Sequence, residues 1–130
     1  MASTQLEVFS SDDAYLRTGS FASEEMLGFW DAYVGAVVRD DRFSFVRIAG
    51  EATWALRDPP TVDELMRYES ELNRFAGRYP QTVLCLYDLD RFGAGILVDL
   101  LRTHPKLVVG GRVLENPYHL SPDEFAALKG

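Results

Sequence analysis

The chain has one cysteine, Cys85, among its 130 residues. That excludes an intrachain disulfide and makes a reducing, cytoplasmic setting the default expectation. Basic residues are also few: 13 Lys and Arg stand against 20 Asp and Glu, a formal net charge of −7. Nucleic acid and anionic membrane surfaces both demand a basic face, so neither is expected as a partner. No apolar run approaches the roughly 18 residues of a membrane span. The opening residues, MASTQLEVFSSDD, lack the basic start and apolar centre of a signal peptide. His104 and His119 are the only histidines, and neither HExxH nor Cys-x-x-Cys occurs, so spacing predicts no metal centre. The phosphate-cradling Gly-x-x-x-x-Gly-Lys-Ser/Thr loop and the Gly-x-Ser-x-Gly nucleophile turn are absent too, and no cofactor is expected.

What remains is enough for one domain over residues 1–130, because 47% of the chain is hydrophobic and 12% aromatic. Residues 5–9 alternate as a short strand would, and residues 10–19 read as loop. Ser23, followed by Glu24 and Glu25, opens a helical pattern through Met26, Trp30, Val34 and Val37 to about Asp40. Residues 43–49 and 82–87 are apolar runs of buried-strand length. Between them Thr61 and Glu64 suggest a capping box for a helix ending near Arg78, with an apolar stripe through Leu65, Leu72 and Phe75. A further helix spans about residues 93–103, stopped by Pro105. Residues 106–109 and 112–115 flank Gly110-Gly111 as a hairpin, and Ser121 with Glu124 caps a last short helix. Strands alternating with helices imply an α/β fold with a mainly parallel sheet flanked by helices, the C-terminal hairpin adding antiparallel strands at one edge.

Candidate functional residues follow from that architecture. Ligands of open α/β sheets bind beyond the carboxyl ends of the strands. Glu51 ends the first buried strand, and Tyr87 and Asp88 end the second. On neighbouring strands Glu51 and Asp88 would converge, either as a base or water-orienting pair or simply as helix caps. Trp54, three residues after Glu51, either walls a ligand pocket or closes the core. Arg47 interrupts an apolar strand and Glu69 an apolar helix stripe, which suggests a buried Arg47–Glu69 ion pair. Cys85 lies mid-strand and reads as a small hydrophobe rather than a redox or nucleophilic group. His104, next to Pro105, reads as a helix terminator.

At Glu51-Ala52-Thr53-Trp54-Ala55-Leu56, Tyr68-Glu69, Cys85-Leu86-Tyr87-Asp88, and from Leu101-Arg102-Thr103-His104-Pro105 through Gly110-Gly111-Arg112 to Glu115-Asn116-Pro117-Tyr118, the chain resembles the MEDS domain family. That family takes its name from a sensory domain of methanogen and methylotroph regulators, including the dichloromethane regulator DcmR. The resemblance implies a signal-input module that senses a small organic, hydrocarbon-derived molecule, and a core resembling a truncated RecA/KaiC ATPase. It implies signalling partners, histidine kinases and transcription regulators among them. The departures are an N-terminal strand-helix region reduced to about residues 1–20, and Gly93-Ala94-Gly95 where relatives carry prolines.

A sheet so trimmed would leave an edge and a face uncovered, which suggests a homodimer or a complex with a signalling protein. A non-catalytic sensory domain is therefore the leading expectation. The alternatives are a degenerate nucleotide-binding hydrolase using Glu51 and Asp88, and a scaffold that binds only protein.

Overall fold

The computed structural model describes residues 6–58 and 60–129. Helix α1 (Ser23–Val38) leads into strand β1 (Val46–Glu51), a 3-10 turn (Thr53–Arg57) and helix α2 (Thr61–Ala76). Strand β2 (Gln81–Leu86), the single turn α3 (Leu89–Phe92) and helix α4 (Gly95–Thr103) follow. The hairpin β3 (Lys106–Val109) and β4 (Arg112–Glu115) and the final helix α5 (Pro122–Lys129) complete the chain.

β1 and β2 pair in parallel, Val46 opposite Gln81 through Glu51 opposite Leu86, with α2 as the crossover between them. This βαβ unit is the expected parallel element, reduced to two strands. The hairpin pairs antiparallel, Lys106 opposite Glu115, but forms a sheet of its own and does not extend the parallel one. It turns on Gly110 and Gly111, both at positive φ, which only glycine adopts freely.

The two parallel strands are not buried on both faces. Along each, burial alternates residue by residue: Val46, Ile48 and Gly50, and Gln81, Val83 and Cys85, turn inward. Arg47, Ala49 and Glu51, and Thr82, Leu84 and Leu86, face out. An apolar run reads as fully buried only when layers cover both faces, and here helices cover one.

α2 is the spine of the inner layer. Leu65, Tyr68, Glu69, Leu72 and Phe75 recur at helical spacing and are all buried. Full burial of a leucine such as Leu65 contributes about 1.5–3 kcal/mol. α1 lays Met26, Trp30 and Val34 against this face, and α4 adds Ile96 and Leu100, while Leu97 stays exposed.

Helix ends depart from the expected caps in an instructive way. Thr61 makes no cap hydrogen bond; Glu64 instead accepts from the Ser23 backbone N–H at 3.2 Å, supplying across space the acceptor that the start of α1 lacks. The box at Ser121 and Glu124 forms as expected, with bonds of 2.9 and 3.2 Å. The helix expected over about residues 93–103 forms as α4 from Gly95, and Gly93, at a φ of 79°, closes the separate turn α3 before it. Of the strand expected at residues 5–9, Gln5 lies outside the described residues, and 6–9 carry no regular structure.

Candidate functional site

The polar centre of the molecule forms where α2, β2 and the end of α4 meet. Glu69 is 5% exposed, buried on the apolar stripe of α2. Its carboxylate accepts from Tyr87 Oη at 2.8 Å on one oxygen and from Cys85 Sγ at 3.0 Å on the other. Cys85 and Tyr87 are half-buried as whole residues, but Sγ and Oη are turned inward onto Glu69. His104 Nε2 lies 3.0 Å from the same Glu69 Oε2. It is buried there without an aligned hydrogen bond, so the contact is close and charged but does not satisfy the nitrogen.

The other ring nitrogen is well held. His104 Nδ1 sits 2.9 Å from the Leu100 carbonyl and 3.0 Å from Thr103 Oγ1. An N–H at Nδ1 donates to that carbonyl, so Nε2 faces Glu69 with a lone pair when the ring is neutral and with an N–H when it is protonated. The backbone is fixed from the far side of the hairpin. Asn116, buried, donates through Nδ2 to the carbonyls of Leu101 and His104, each at 2.6 Å, and accepts from the Tyr118 N–H at 3.0 Å. Asn73 on α2 donates to the Thr103 carbonyl at 2.8 Å and ties the same corner to the helix beneath.

The proposed Arg47–Glu69 pair does not form. Arg47 is exposed on the outer face of β1, with its guanidinium 5.3 Å from the Phe45 ring, while Glu69 is enclosed on the inner side. Strand alternation puts residue 47 on the face opposite Ile48 and Gly50, out of reach of α2. Glu51 and Asp88 are both exposed and engaged locally: Glu51 accepts from the Thr53 N–H at 2.7 Å, and Asp88 caps α3 through the Asp90 N–H at 3.1 Å. Trp54 is buried, stacked on Tyr15 at 4.6 Å with rings inclined by 15°. Its Nε1–H has no partner among the described residues.

Beside the cluster lies a small, partly open cavity of about 10 Å³, walled by Tyr15, Trp54, Glu51 and Tyr68 and reaching Glu69 and Cys85. That is room for about one water. Gly50 makes it possible, because a Cβ there would collide with the Tyr15 hydroxyl. Tyr15 also lines a surface groove of about 330 Å³ between residues 14–22 and the start of α1. Tyr15 therefore lines both the groove and the cavity.

Residues 1–105 match the family model of the MEthanogen/methylotroph, DcmR Sensory domain, MEDS. The chain belongs to the MEDS family. No curated protein and no solved structure matches it, and the expected likeness to the RecA/KaiC core is not confirmed by a structural neighbour. Glu69, Cys85, Tyr87 and His104 all fall inside the stretch matched as MEDS, whereas Asn116, which steadies His104, lies beyond it. Among the described residues no helix is long and apolar enough to cross a membrane.

Burial and the Glu69 charge together set the titration of this MEDS domain. Burial, then the Glu69 charge, raises the Cys85 thiol well above its ordinary value. Tyr68 and Tyr87 are raised in the same way, burial first. Burial pulls His104 down, but the Glu69 carboxylate and the Leu100 carbonyl outweigh it and leave the imidazole above its usual range. Groups raised on folding contribute stability that is complete below their unfolded pKa and lost as pH climbs past it. For the metal-free protein the urea midpoint is expected to fall as pH passes about 6.5, where an unfolded imidazole deprotonates, again above about pH 8.5, where an unfolded thiol ionises, and more steeply above about pH 10. Each group adds a slope of up to about 1.4 kcal/mol per pH unit. Urea titrations at pH 6.5, 7.5, 9 and 10.5 measure this, and a flat midpoint would show that these side chains are not enclosed.

Proposed function

We propose that this MEDS domain is a non-catalytic input module that detects a small organic molecule in the cavity beneath Tyr15. The observation that carries the reading is the cavity itself: stacked aromatic walls, an unpartnered Trp54 N–H and a buried polar floor of Glu69 and Cys85. Apolar walls with a few convergent polar groups are the composition of a ligand site. With room for about one water, the cavity admits a short alcohol or haloalkane only when Tyr15 swings toward the outer groove. Nothing in the cluster is placed as an activated nucleophile, because a thiol whose pKa is raised is a poor one.

The test is a thermal-shift series with short alcohols, aldehydes and haloalkanes on the wild-type protein and on Gly50→Ala. The wild type is expected to rise in Tm with at least one class. The added methyl group fills the cavity, pushes Tyr15, lowers stability by about 1–3 kcal/mol and abolishes the shift. A shift that survives unchanged in Gly50→Ala would place binding elsewhere.

A partner surface is supported by a separate observation. The outer face of the parallel sheet leaves Leu84 and Leu86 more than 40% exposed, and the hairpin leaves Val108 and Val113 above 55%. Apolar surface of this kind is what a second copy or a signalling protein would cover. This supports the expected homodimer or regulator complex, and sedimentation at tens of micromolar distinguishes the first from the second.

A further inference from the structure

We infer that Glu69, Cys85 and His104 form a binding site for one divalent transition-metal ion, with zinc as the best fit. One ligand atom from each residue lies within 4.8 Å of the other two. The three arrive from α2, from β2 and from the residue closing α4, so the fold and not a local motif assembles them.

The donor set is one sulfur, one imidazole nitrogen and one carboxylate oxygen. That mixture suits zinc and excludes calcium and magnesium, which take oxygen ligands. Zinc bonds of about 2.0–2.3 Å imply ligand atoms about 3.4 Å apart at a tetrahedral centre. Two edges of the triangle are now 3.0 Å, Cys85 Sγ and His104 Nε2 each to Glu69 Oε2. The third edge, Cys85 Sγ to His104 Nε2, lies within 4.8 Å, so the ion needs the carboxylate to move outward by a few tenths of an ångström and the Cys85 and His104 side chains to close on the same centre.

Two further observations point to an ion rather than to a closed hydrogen-bond network. His104 Nε2 is a buried nitrogen with no aligned hydrogen bond among the described residues, although a carboxylate oxygen lies 3.0 Å away. Its sister Nδ1 is anchored on the Leu100 carbonyl, the arrangement that orients a metal-binding imidazole. The second observation is the support around the remaining ligands. Tyr87 holds the Glu69 oxygen that faces away from His104, and Asn116 holds the His104 carbonyl. Metal sites are built with such outer partners, and their loss costs about 10–100-fold in affinity.

Three protein ligands leave a fourth position. The cavity of the proposed sensory site is lined by Glu69 and Cys85 and admits about one water, which suits that fourth position. On binding, the Cys85 S–H bond breaks, the sulfur–metal bond forms and the proton passes to solvent. Uptake is therefore tighter at higher pH. The inference deepens the sensory reading by giving the ligand an electrophilic centre to meet, and it rests on that reading only for this coupling.

The experiment is titration of tag-free, metal-stripped protein with cobalt(II), followed by displacement with zinc(II). The expected result is one equivalent bound at micromolar concentration, with a thiolate-to-cobalt charge-transfer band in the near ultraviolet. Cys85→Ser is expected to remove that band, and His104→Gln to weaken binding by at least about 100-fold, both with unchanged circular dichroism. Tyr87→Phe keeps the band and loses about 10–100-fold. Uptake below one equivalent by folded wild-type protein, or a spectrum identical in Cys85→Ser, would overturn the site. A small-molecule response in protein that takes up no metal would overturn the metal and leave the sensory reading standing. Stoichiometric metal uptake without any small-molecule response would establish the metal and count against that reading.

Discussion

Replacing Glu69 by alanine is expected to lower the free energy of unfolding of the metal-free protein by about 3–5 kcal/mol, measured by urea denaturation at pH 7. Three side chains depend on this carboxylate. Tyr87 Oη and Cys85 Sγ donate to it, and His104 Nε2 leans on it at 3.0 Å. Removing it leaves a phenol, a thiol and a cationic or lone-pair nitrogen enclosed with nothing opposite, and each unsatisfied donor alone costs about 1–3 kcal/mol. A void is added on a helix face that packs against the sheet. Glu69→Gln keeps the volume and one acceptor, and it is expected to cost about 1–3 kcal/mol. The ordering alanine worse than glutamine separates loss of the network from loss of charge. If Glu69→Ala proved as stable as wild type to within 1 kcal/mol, the buried network would not be the anchor described here.

How this site related to the sequence is best seen at Glu69. A charge inside an apolar stripe announced a buried polar group, and that much was legible from helical spacing. Its partner was not. Arg47 was the nearest unmatched cation by pattern, yet strand alternation turns it to the outer face, while the true partners sit 16 and 35 residues along the chain at Cys85 and His104. Metal-ligand signatures depend on close spacing, and residues 69, 85 and 104 have none. The one available signal was that Cys85 and Tyr87 alternate on one face of a strand whose neighbour is the helix carrying Glu69.

The fold shows the same division between local and non-local information. The parallel β1–α2–β2 unit, the Gly110-Gly111 hairpin and the Ser121 capping box were all readable from local pattern. The detachment of the hairpin from the sheet was not, because nothing local states which edge a hairpin joins. Nor was the Glu64 carboxylate's service to α1, 41 residues earlier. Trp54 carried two readings, pocket wall or core closure. It is buried like a core residue and also lines the cavity.

That double placement sets the second large effect. Trp54→Ala is expected to destabilise the protein by about 3–5 kcal/mol. The indole is 4% exposed, stacks on Tyr15 at 4.6 Å and meets Phe21 at 5.0 Å, so truncation empties the wall of the cavity and unseats the ring that closes it. Aromatic pairing adds about 0.5–1.5 kcal/mol beyond the area lost. Trp54→Phe is the discriminating variant. It retains a ring against Tyr15 and removes an N–H that is buried without a partner, and removing an orphaned donor offsets part of the lost volume. It is therefore expected to cost less than about 1.5 kcal/mol, the range of a near-conservative core change. Its effect on the small-molecule thermal shift then reads the role of the indole nitrogen directly. Loss of the shift with stability nearly intact assigns the N–H to the ligand, and retention of the shift assigns Trp54 to packing alone. If Trp54→Phe instead destabilised as much as Trp54→Ala, the N–H would be engaged in the folded protein and the cavity would not offer a free donor.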